Sequence, residues 1–335
     1  MTRGIRLLSH FLPLLALAVI VLGAYVRLSD AGLGCPDWPG CYGHVSVPSY
    51  DANIHLKDPH WHARPLEAGK AWREMIHRYL ASTLGLGIVL LAGAALNGAR
   101  RRAAGVSPVV FLLVPLVMLQ GLLGMWTVTL LLKPLVVSAH LLGGLATLAL
   151  LWWNLLGVRG LERLAAIGTG LHGLARLAIV VLVLQIFLGG WTSANYAALA
   201  CTDFPTCQGR WWPHTDFHEA YVLWRGLGIN YEFGVLDTPA RTAIHVGHRL
   251  GALLASTVIA STALLAWRSG QVRLRRVASC ILAALVLQVS LGITNVLGGL
   301  PLPVAVAHNG VAAVLLLTLL TLVHFTRRKE TLPSC

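Results

Sequence analysis

The sequence predicts an all-α polytopic membrane protein: eight transmembrane helices forming two duplicated four-helix bundles with pseudo-twofold symmetry. Three observations carry that expectation. Hydrophobic residues make up 56% of the 335 positions and charged residues 12%, with a mean hydropathy of +0.70, so there is too little polar surface to coat a soluble globule. Apolar runs of about 20 residues, long enough to cross roughly 30 Å of hydrocarbon as a helix, occur repeatedly along the chain. The second half then repeats landmarks of the first in the same order.

The predicted spans cover 7–27, 74–97, 108–130, 134–157, 174–196, 241–267, 275–298 and 302–326. The first is longer than the apolar region of a signal peptide, lacks an A-x-A-like cleavage site and runs directly into the next motif, so it is read as a span. The second opens at EMIHR, with Glu74 and His77. The third holds LQGLLG from Leu119, and the fourth starts at Pro134 and carries VSAH, ending at His140. After the fifth span, residues 197–237 hold Asp203, Asp216, Glu219, Glu232 and Asp237, which predicts a surface helix or turn there. The sixth starts near Arg241 and carries HRLGA from His248. The seventh holds LQVSLG from Leu287, and the eighth, marked by Pro303, carries AVAH, ending at His308.

Charge sets the orientation. With the N-terminus inside, the inner segments hold Arg3, Arg6, Arg100, Arg101, Arg102, Arg159, Arg163, Arg176, Arg268, Arg273, Arg275, Arg276, Arg327, Arg328 and Lys329, fifteen cations against Glu162 and Glu330. The outer segments balance eleven cations with eleven acids, so the whole formal charge of +13 lies on one side. Both termini are therefore predicted on the cytoplasmic side of a bacterial inner (plasma) membrane. The basic balance reports topology and contact with anionic membrane lipid, and no nucleic acid partner is expected.

The repeat is specific. CPDWPGC, Cys35 to Cys41, returns half a chain later as CTDFPTC, Cys201 to Cys207. LQGLLG and VSAH return as LQVSLG and AVAH at a slightly wider offset, and His77-Arg78 returns as His248-Arg249 at one slightly wider again. Landmarks that keep their order while the loops drift a little in length mark duplication of a four-helix unit. Each unit crosses an even number of times, so the copies run parallel about an axis along the membrane normal, dividing the chain into 1–165 and 166–335.

Of fourteen histidines, thirteen fall into two classes, and His245 is taken up below beside Glu74. His44, His55, His60, His62, His214 and His218 lie in outer loops and His10, His172 and His324 near helix ends, where solvation or headgroup contact suffices. His77, His140, His248 and His308 lie one in each even-numbered span at duplicated positions, and an ionisable residue inside a span is functional by default. Counted from starts marked by Pro134, Arg241 and Pro303, they sit about five to eight residues in, roughly 8 to 12 Å deep. Two imidazoles facing each other across a four-helix bundle are what axial ligation of a haem iron requires, which gives one haem per half. Interhelical hydrogen bonding is the competing explanation, and it suits a lone histidine better than a duplicated quartet at one depth.

Cys35, Cys41, Cys201 and Cys207 fall in outer loops, in an oxidising compartment. Pro36, Pro39 and Pro205 turn the chain, favouring a disulfide within each phrase. Zinc held by the four thiolates is the alternative, at a spacing wider than zinc sites use. Cys280, inside the seventh span, reads as packing, and Cys335 is uninformative. The outer loops after the first and fifth spans run to about 45 residues each, a length usually kept for function. Trp38, Trp61, Trp72, Trp211, Trp212 and Trp224 suit an interfacial lid over a macrocycle and, equally, an aromatic belt.

RLSDAGLGCPDWPGCYG after the first span, EMIHR opening the second, the AH pairs of the fourth and eighth, HRLGA in the sixth and the second C-x5-C loop together resemble the haem A synthase family. The resemblance covers all eight spans. It implies an oxidoreductase that takes the C8 methyl group of haem O to a formyl group, with water-derived oxygen, giving haem A for terminal oxidases. It implies that His248 and His308 bind the iron of a resident haem b, that His77 and His140 hold the substrate haem, and that Glu74 is catalytic. For Cys35 and Cys41 it implies a redox role, with a simple staple over the pocket as the alternative. A haem O farnesyltransferase and terminal oxidase assembly factors are the implied partners, and homo-oligomerisation stays open.

The residues themselves support part of this. Glu74 lies three positions before His77 on the same helix face, where the second half has His245. A carboxylate there can accept protons or position water, while the competing reading is a helix-start acid favoured by the dipole. Arg78 and Arg249 are candidates for haem propionates, with snorkelling to the interface as the rival. A quinone-linked b-type dihaem electron-transfer subunit explains the four histidines equally well, but it explains neither Glu74 opposite His245 nor the duplicated cysteine loops. A transporter fits the parallel repeat, yet transporters gather polar residues around broken helices at the midplane, and here they cluster near the outer face.

Overall fold

The computed structural model describes residues 3–49, 64–100, 108–161 and 169–327. His55, His60, Trp61 and His62, the inner-side Arg101, Arg102, Glu162, Arg163, Arg328, Lys329 and Glu330, and Cys335 lie outside those residues.

A bilayer offers backbone groups no water, so each span must close its own hydrogen bonds as a helix. Eight long helices do so: α1 (Arg3–Leu28), α2 (Ala68–Arg100), α3 (Val110–Thr129), α4 (Pro134–Val158), α5 (Thr169–Ala194), α7 (Thr238–Arg268), α8 (Val272–Leu297) and α9 (Leu302–Thr326). All eight are long and apolar enough to cross a membrane. Among the described residues a short ninth, α6 (Phe217–Ala220), forms in the acidic segment after α5, where Asp216 caps it by accepting the Glu219 N–H at 2.9 Å.

α4 begins at Pro134, as expected, because proline at a first helical position gives up no hydrogen bond. α2 and α7 begin earlier than the apolar runs predict, at Ala68 and Thr238. Their first turns are interfacial: Lys70 and Arg73 precede the apolar stretch of α2, and Asp237 caps α7 by accepting the Ala240 N–H at 3.0 Å. His77 and His248 therefore stand nine and ten residues past their helix starts, against six for His140 and His308. The expected five to eight residues is corrected for two of the four, because a helix end is not the membrane surface. Glu74 likewise lies in the second turn of α2, whose first turn holds no acid, so the helix-start explanation for it falls.

The helices close two rings. α1 packs on α2, α2 on α3, α3 on α4 and α4 back on α1; α5, α7, α8 and α9 close in the same way. The rings meet through α1, α4, α5 and α9. Leu12, Ile88, Leu113 and Leu148 are fully buried in the first ring, as are Ile259, Leu274, Ile281 and Leu319 in the second. Leu86, Leu112, Leu253 and Val286 are exposed, as lipid-facing residues must be. Apolar burial gives helices little reason to associate when the solvent is itself hydrocarbon, so polar links matter. Asn154 donates to Ser9 Oγ at 3.1 Å within the first ring, and the Trp152 indole donates to Thr321 Oγ1 at 3.0 Å between rings.

At the end that carries the cysteine loops, the two rings touch at positions matched in the sequence repeat. Arg27 donates to the Ser193 carbonyl at 2.6 Å and stacks 4.3 Å over Tyr196, whose hydroxyl donates to Asp30 at 3.2 Å. Ser193 and Tyr196 stand to Arg27 and Asp30 in the repeat as Cys201 stands to Cys35. A second clasp joins the α3–α4 turn to the long second-half loop. Buried Lys133 donates to the Gly226 carbonyl and lies 3.8 Å from the Trp224 ring, and Tyr231 N–H donates to the Leu131 carbonyl at 3.0 Å.

Candidate functional site

The span histidines divide two and two. His77 on α2 and His140 on α4 lie close enough for their charges to interact, and so do His248 on α7 and His308 on α9. Each imidazole rests on a glycine of a neighbouring helix. A Cβ on Gly23 of α1 would stand 2.8 Å from Cε1 of His77, and one on Gly124 of α3 would stand 3.4 Å from Cε1 of His140. On Gly189 of α5 and Gly292 of α8 it would stand 3.2 Å from Cε1 of His248 and of His308. At Gly23, Gly189 and Gly292 glycine serves close approach rather than backbone conformation, while at Gly124 a Cβ would just reach van der Waals contact. These four glycines follow the repeat: Gly189 answers Gly23 as Cys201 answers Cys35, and Gly292 answers Gly124 as His308 answers His140. Gly124 and Gly292 end LQGLLG and LQVSLG, and reading those motifs only as landmarks overlooked their steric role.

Four residues before each glycine, one turn away, α3, α5 and α8 carry Gln120, Gln185 and Gln288, while α1 carries Val19. The Gln185 amide meets Nδ1 of His248 at 3.0 Å and the His248 carbonyl at 3.0 Å. The Gln288 amide meets Nε2 of His308 at 3.2 Å, whereas Gln120 donates to the His140 carbonyl at 3.0 Å. These glutamines too were absent from the sequence reading, although LQ recurs in the quoted motifs.

The donor set can be tested against haem. Nδ1 of His77, His140 and His308, together with Oε1 of all three glutamines, are buried without a hydrogen-bond partner. Each such atom costs about 1–3 kcal/mol until something engages it. Among the described residues no three His, Cys, Asp or Glu side chains gather as a metal cluster, so neither ring suits a bare ion needing four or more protein donors. Two imidazoles per ring suit a macrocycle whose own nitrogens fill the equatorial plane. The residues fit haem.

Above the rings, Cys35–Cys41 and Cys201–Cys207 close as disulfides, each with Cα atoms 4.8 Å apart, so the four cysteines are not zinc ligands. All four sit at 3% exposure or less, which shields the sulfurs from external thiols. An aspartate organises each loop. Asp37 accepts the Tyr42 and Gly43 N–H groups at 2.6 and 2.8 Å; Asp203 accepts those of Gln208 and Gly209 at 2.6 and 3.0 Å and the Thr206 hydroxyl at 2.6 Å. The Thr206 hydroxyl and the two amides hold the Asp203 pKa down at about 2.

The loops are pinned to the helices by the residues flanking the histidines. Glu74 Oε2 accepts the Cys35 N–H at 2.9 Å and Oε1 pairs with Arg78 at 2.5 Å, in a site where Glu74 is 5% exposed. At the matching place His245 accepts the Cys201 N–H at 3.3 Å. Arg78 also donates to the carbonyls of Asp37, Pro39 and Gly40, and Arg249 to those of Cys201, Asp203 and Thr206. Neither arginine snorkels outward: Arg249 spends both terminal nitrogens on its cysteine loop, and Arg78 divides its own between Glu74 and the loop. A free donor for a propionate is left at Nε of Arg249, which is buried without a partner.

Residues 6–320 match the family described as cytochrome oxidase assembly protein. A curated relative from Shewanella oneidensis, named heme A synthase, is 45% identical over 321 residues, covering 95% of this chain and 95% of the relative. The chain belongs to the haem A synthase family. Relatives of the same name from Paracoccus denitrificans and Granulibacter bethesdensis are 30% and 28% identical over 352 and 330 residues, covering 95% and 93% of this chain and 86% and 84% of theirs. Both cysteine loops, both histidine pairs and Glu74 fall inside the stretch matched to the haem A synthase family.

Proposed function

We propose that this chain is a membrane oxidoreductase that converts haem O to haem A, taking the C8 methyl group to a formyl group. The observation that carries this is an imidazole pair in each of two four-helix rings, within a chain that matches the family almost end to end. In this reading His248 and His308 hold a resident haem b, and His77 and His140 hold the substrate macrocycle. A haem held by His248 and His308 would supply electron transfer rather than oxygen chemistry. The parallel bundles, 1–165 and 166–335, turn about an axis along the membrane normal. Contacts between equivalent positions, Arg27 with Ser193 and Asp30 with Tyr196, support that arrangement.

Methyl to aldehyde, with oxygen from water, releases four protons and four electrons. Glu74 is the group suited to handle those protons. It is one turn from His77, and its bonds to Cys35 and Arg78 hold the carboxylate in one place, as a general base must be held. The Cys35–Cys41 loop acts as a lid that excludes bulk water; a redox role for the pair requires the loop to open, since both sulfurs are buried. Arg249, through its free Nε, is the better placed of the two arginines for a propionate. The +13 excess on one side supports a bacterial inner membrane with both termini cytoplasmic. A haem O farnesyltransferase upstream and oxidase assembly factors downstream complete the proposal.

The test is the pigment of protein purified from membranes that make haem O. Chromatography of the extracted haems yields haem b and haem A from the wild type. Glu74→Ala yields haem b with little haem A. A colourless wild-type protein overturns the reading, and normal haem A from Glu74→Ala removes the role of Glu74.

A further inference from the structure

We infer that Tyr231 is a positioning residue which the second half of the chain supplies to the first-half site. Latched by Lys133 and Glu232, it holds the first cysteine loop against the α3–α4 turn and sets how fast the first-half haem is exchanged. The inference rests on the reading that each ring holds a haem, and not on which of the two is resident. Tyr231 is buried in one cluster with Leu33, two positions before Cys35, and with Val128 and Leu132 at the end of α3 and in the turn after it. That cluster joins the start of the cysteine loop to the corner between α3 and α4. The Tyr231 N–H donates to the Leu131 carbonyl at 3.0 Å, which fixes the ring in place.

Latches stand on both sides of it. Toward α4, buried Lys133 donates to the Gly226 carbonyl, with its ammonium 3.8 Å from the Trp224 ring and 5.6 Å from the Tyr231 ring. Toward the cysteine loop, Arg64 donates to the Leu33 carbonyl at 3.3 Å and pairs with Glu232 at 3.1 Å, while its own carbonyl accepts the Tyr42 hydroxyl at 3.0 Å. The matched corner of the second half is built differently. Leu33 is 7% exposed, whereas Leu199, its counterpart in the register that pairs Cys35 with Cys201, is 45% exposed. In the register that pairs His140 with His308, Lys133 gives way to Pro301, and the counterparts of buried Val128 and Leu132 are half-buried Val296 and Leu300. The location decides the consequence. Val128 lies one turn past Gly124, which faces His140, and Leu33 leads into the loop whose Cys35 N–H is bound by Glu74. For a haem to leave the first ring, the loop must lift or α3 and α4 must part from α1 and α2, and either movement pulls Tyr231 out of its cluster. Exposing a buried tyrosine ring, or breaking a hydrogen bond from a charged donor, slows such an opening about 10–100-fold.

Haem transfer from the purified full-length protein to excess apomyoglobin, followed by absorbance, reads this out. A His248→Ala background leaves the first ring loaded and a His77→Ala background the second, each with the haem it retains. Tyr231→Ala and Lys133→Met should each speed transfer from the first ring about 10–100-fold and change transfer from the second by less than about twofold, although Tyr231 belongs to the second half. Tyr231→Phe, which keeps the ring and the backbone bond, should stay near the wild-type rate. Glu232→Gln should act in the same direction with a smaller effect, because its pair with Arg64 is partly exposed. First-ring rates unchanged in both Tyr231→Ala and Lys133→Met, or equal acceleration in both rings, overturn the inference while the two-haem reading stands. Wild-type protein that takes up no haem overturns both. Should Tyr231→Ala not fold, Lys133→Met decides alone, and an unchanged first-ring rate there overturns the proposal.

Discussion

His77 and His248 stand at equivalent places in the two halves, and their surroundings diverge in a consistent direction. Above His77 the cysteine loop is pinned by a charged pair, Glu74 with Arg78; above His248 it is pinned by the neutral ring of His245. Beside His77 the neighbouring side chain is apolar, Val19; beside His248 it is a hydrogen-bonding amide, Gln185. The frame is common to both: histidine on glycine, an aspartate-organised disulfide loop, an arginine gripping loop carbonyls. Two four-helix rings can thus share one histidine arrangement while the residues one contact further out differ, a buried carboxylate beside one pair and side-chain amides beside the other.

The comparison breaks or sharpens first at the ligands. His308→Ala should abolish both the resident haem signal and turnover, whereas His140→Ala should abolish turnover and leave that signal, as read from reduced-minus-oxidised spectra. Equal spectral losses in the two variants erase the distinction between halves. Next, Glu74→Gln should lower turnover about 10²–10⁴-fold while the loop stays anchored. Glu74→Ala should also destabilise the protein by about 1–3 kcal/mol, because the Cys35 N–H and one nitrogen of Arg78 lose their acceptor. His245→Ala removes a neutral hydrogen bond, and denaturant titration should show a loss of about 1 kcal/mol.

Glycine substitutions probe the frame itself. Gly23→Ala, at 2.8 Å, should cost about 1–3 kcal/mol in thermal unfolding of the detergent-solubilised protein, and Gly292→Ala, at 3.2 Å, less. The smallest effect is a pH response confined to the second loop. Asp203 has a folded pKa of about 2, below its ordinary 3.8, so its contribution to loop stability is full above that ordinary value and is lost as the pH falls toward 2. Hydrogen exchange at the Gln208 and Gly209 amides should accelerate over that window, and Asp203→Asn should flatten the response.

Much of this was legible without coordinates, for reasons that differ by feature. The spans were, because a helix needs a fixed length of apolar residues to cross a bilayer; α4 and α9 begin where Pro134 and the prolines at 301 and 303 place them. The histidine quartet was, because a titratable group in a span stands out. The starts of α2 and α7 were not, since the polar first turns of a helix are invisible to an apolar run. Arg78 and Arg249 could not be placed either: a guanidinium beside a span histidine has several partners in reach, and only the folded loop shows that backbone carbonyls take its donors.

Sequence alone determined the membrane class, the eight spans, the recurrence of landmarks in the second half of the chain and the four span histidines, because each follows from the order of residue types along one chain. Tertiary structure alone decided that Glu74 and His245 hold the same loop amide, that glycines seat the imidazoles, and that Gln185 and Gln288 meet ring nitrogens while Gln120 meets a backbone carbonyl. Those facts depend on which side chains meet across helices distant in the chain, and a hydrogen bond between Gln185 and His248 leaves no trace in the spacing of residues that are 63 positions apart.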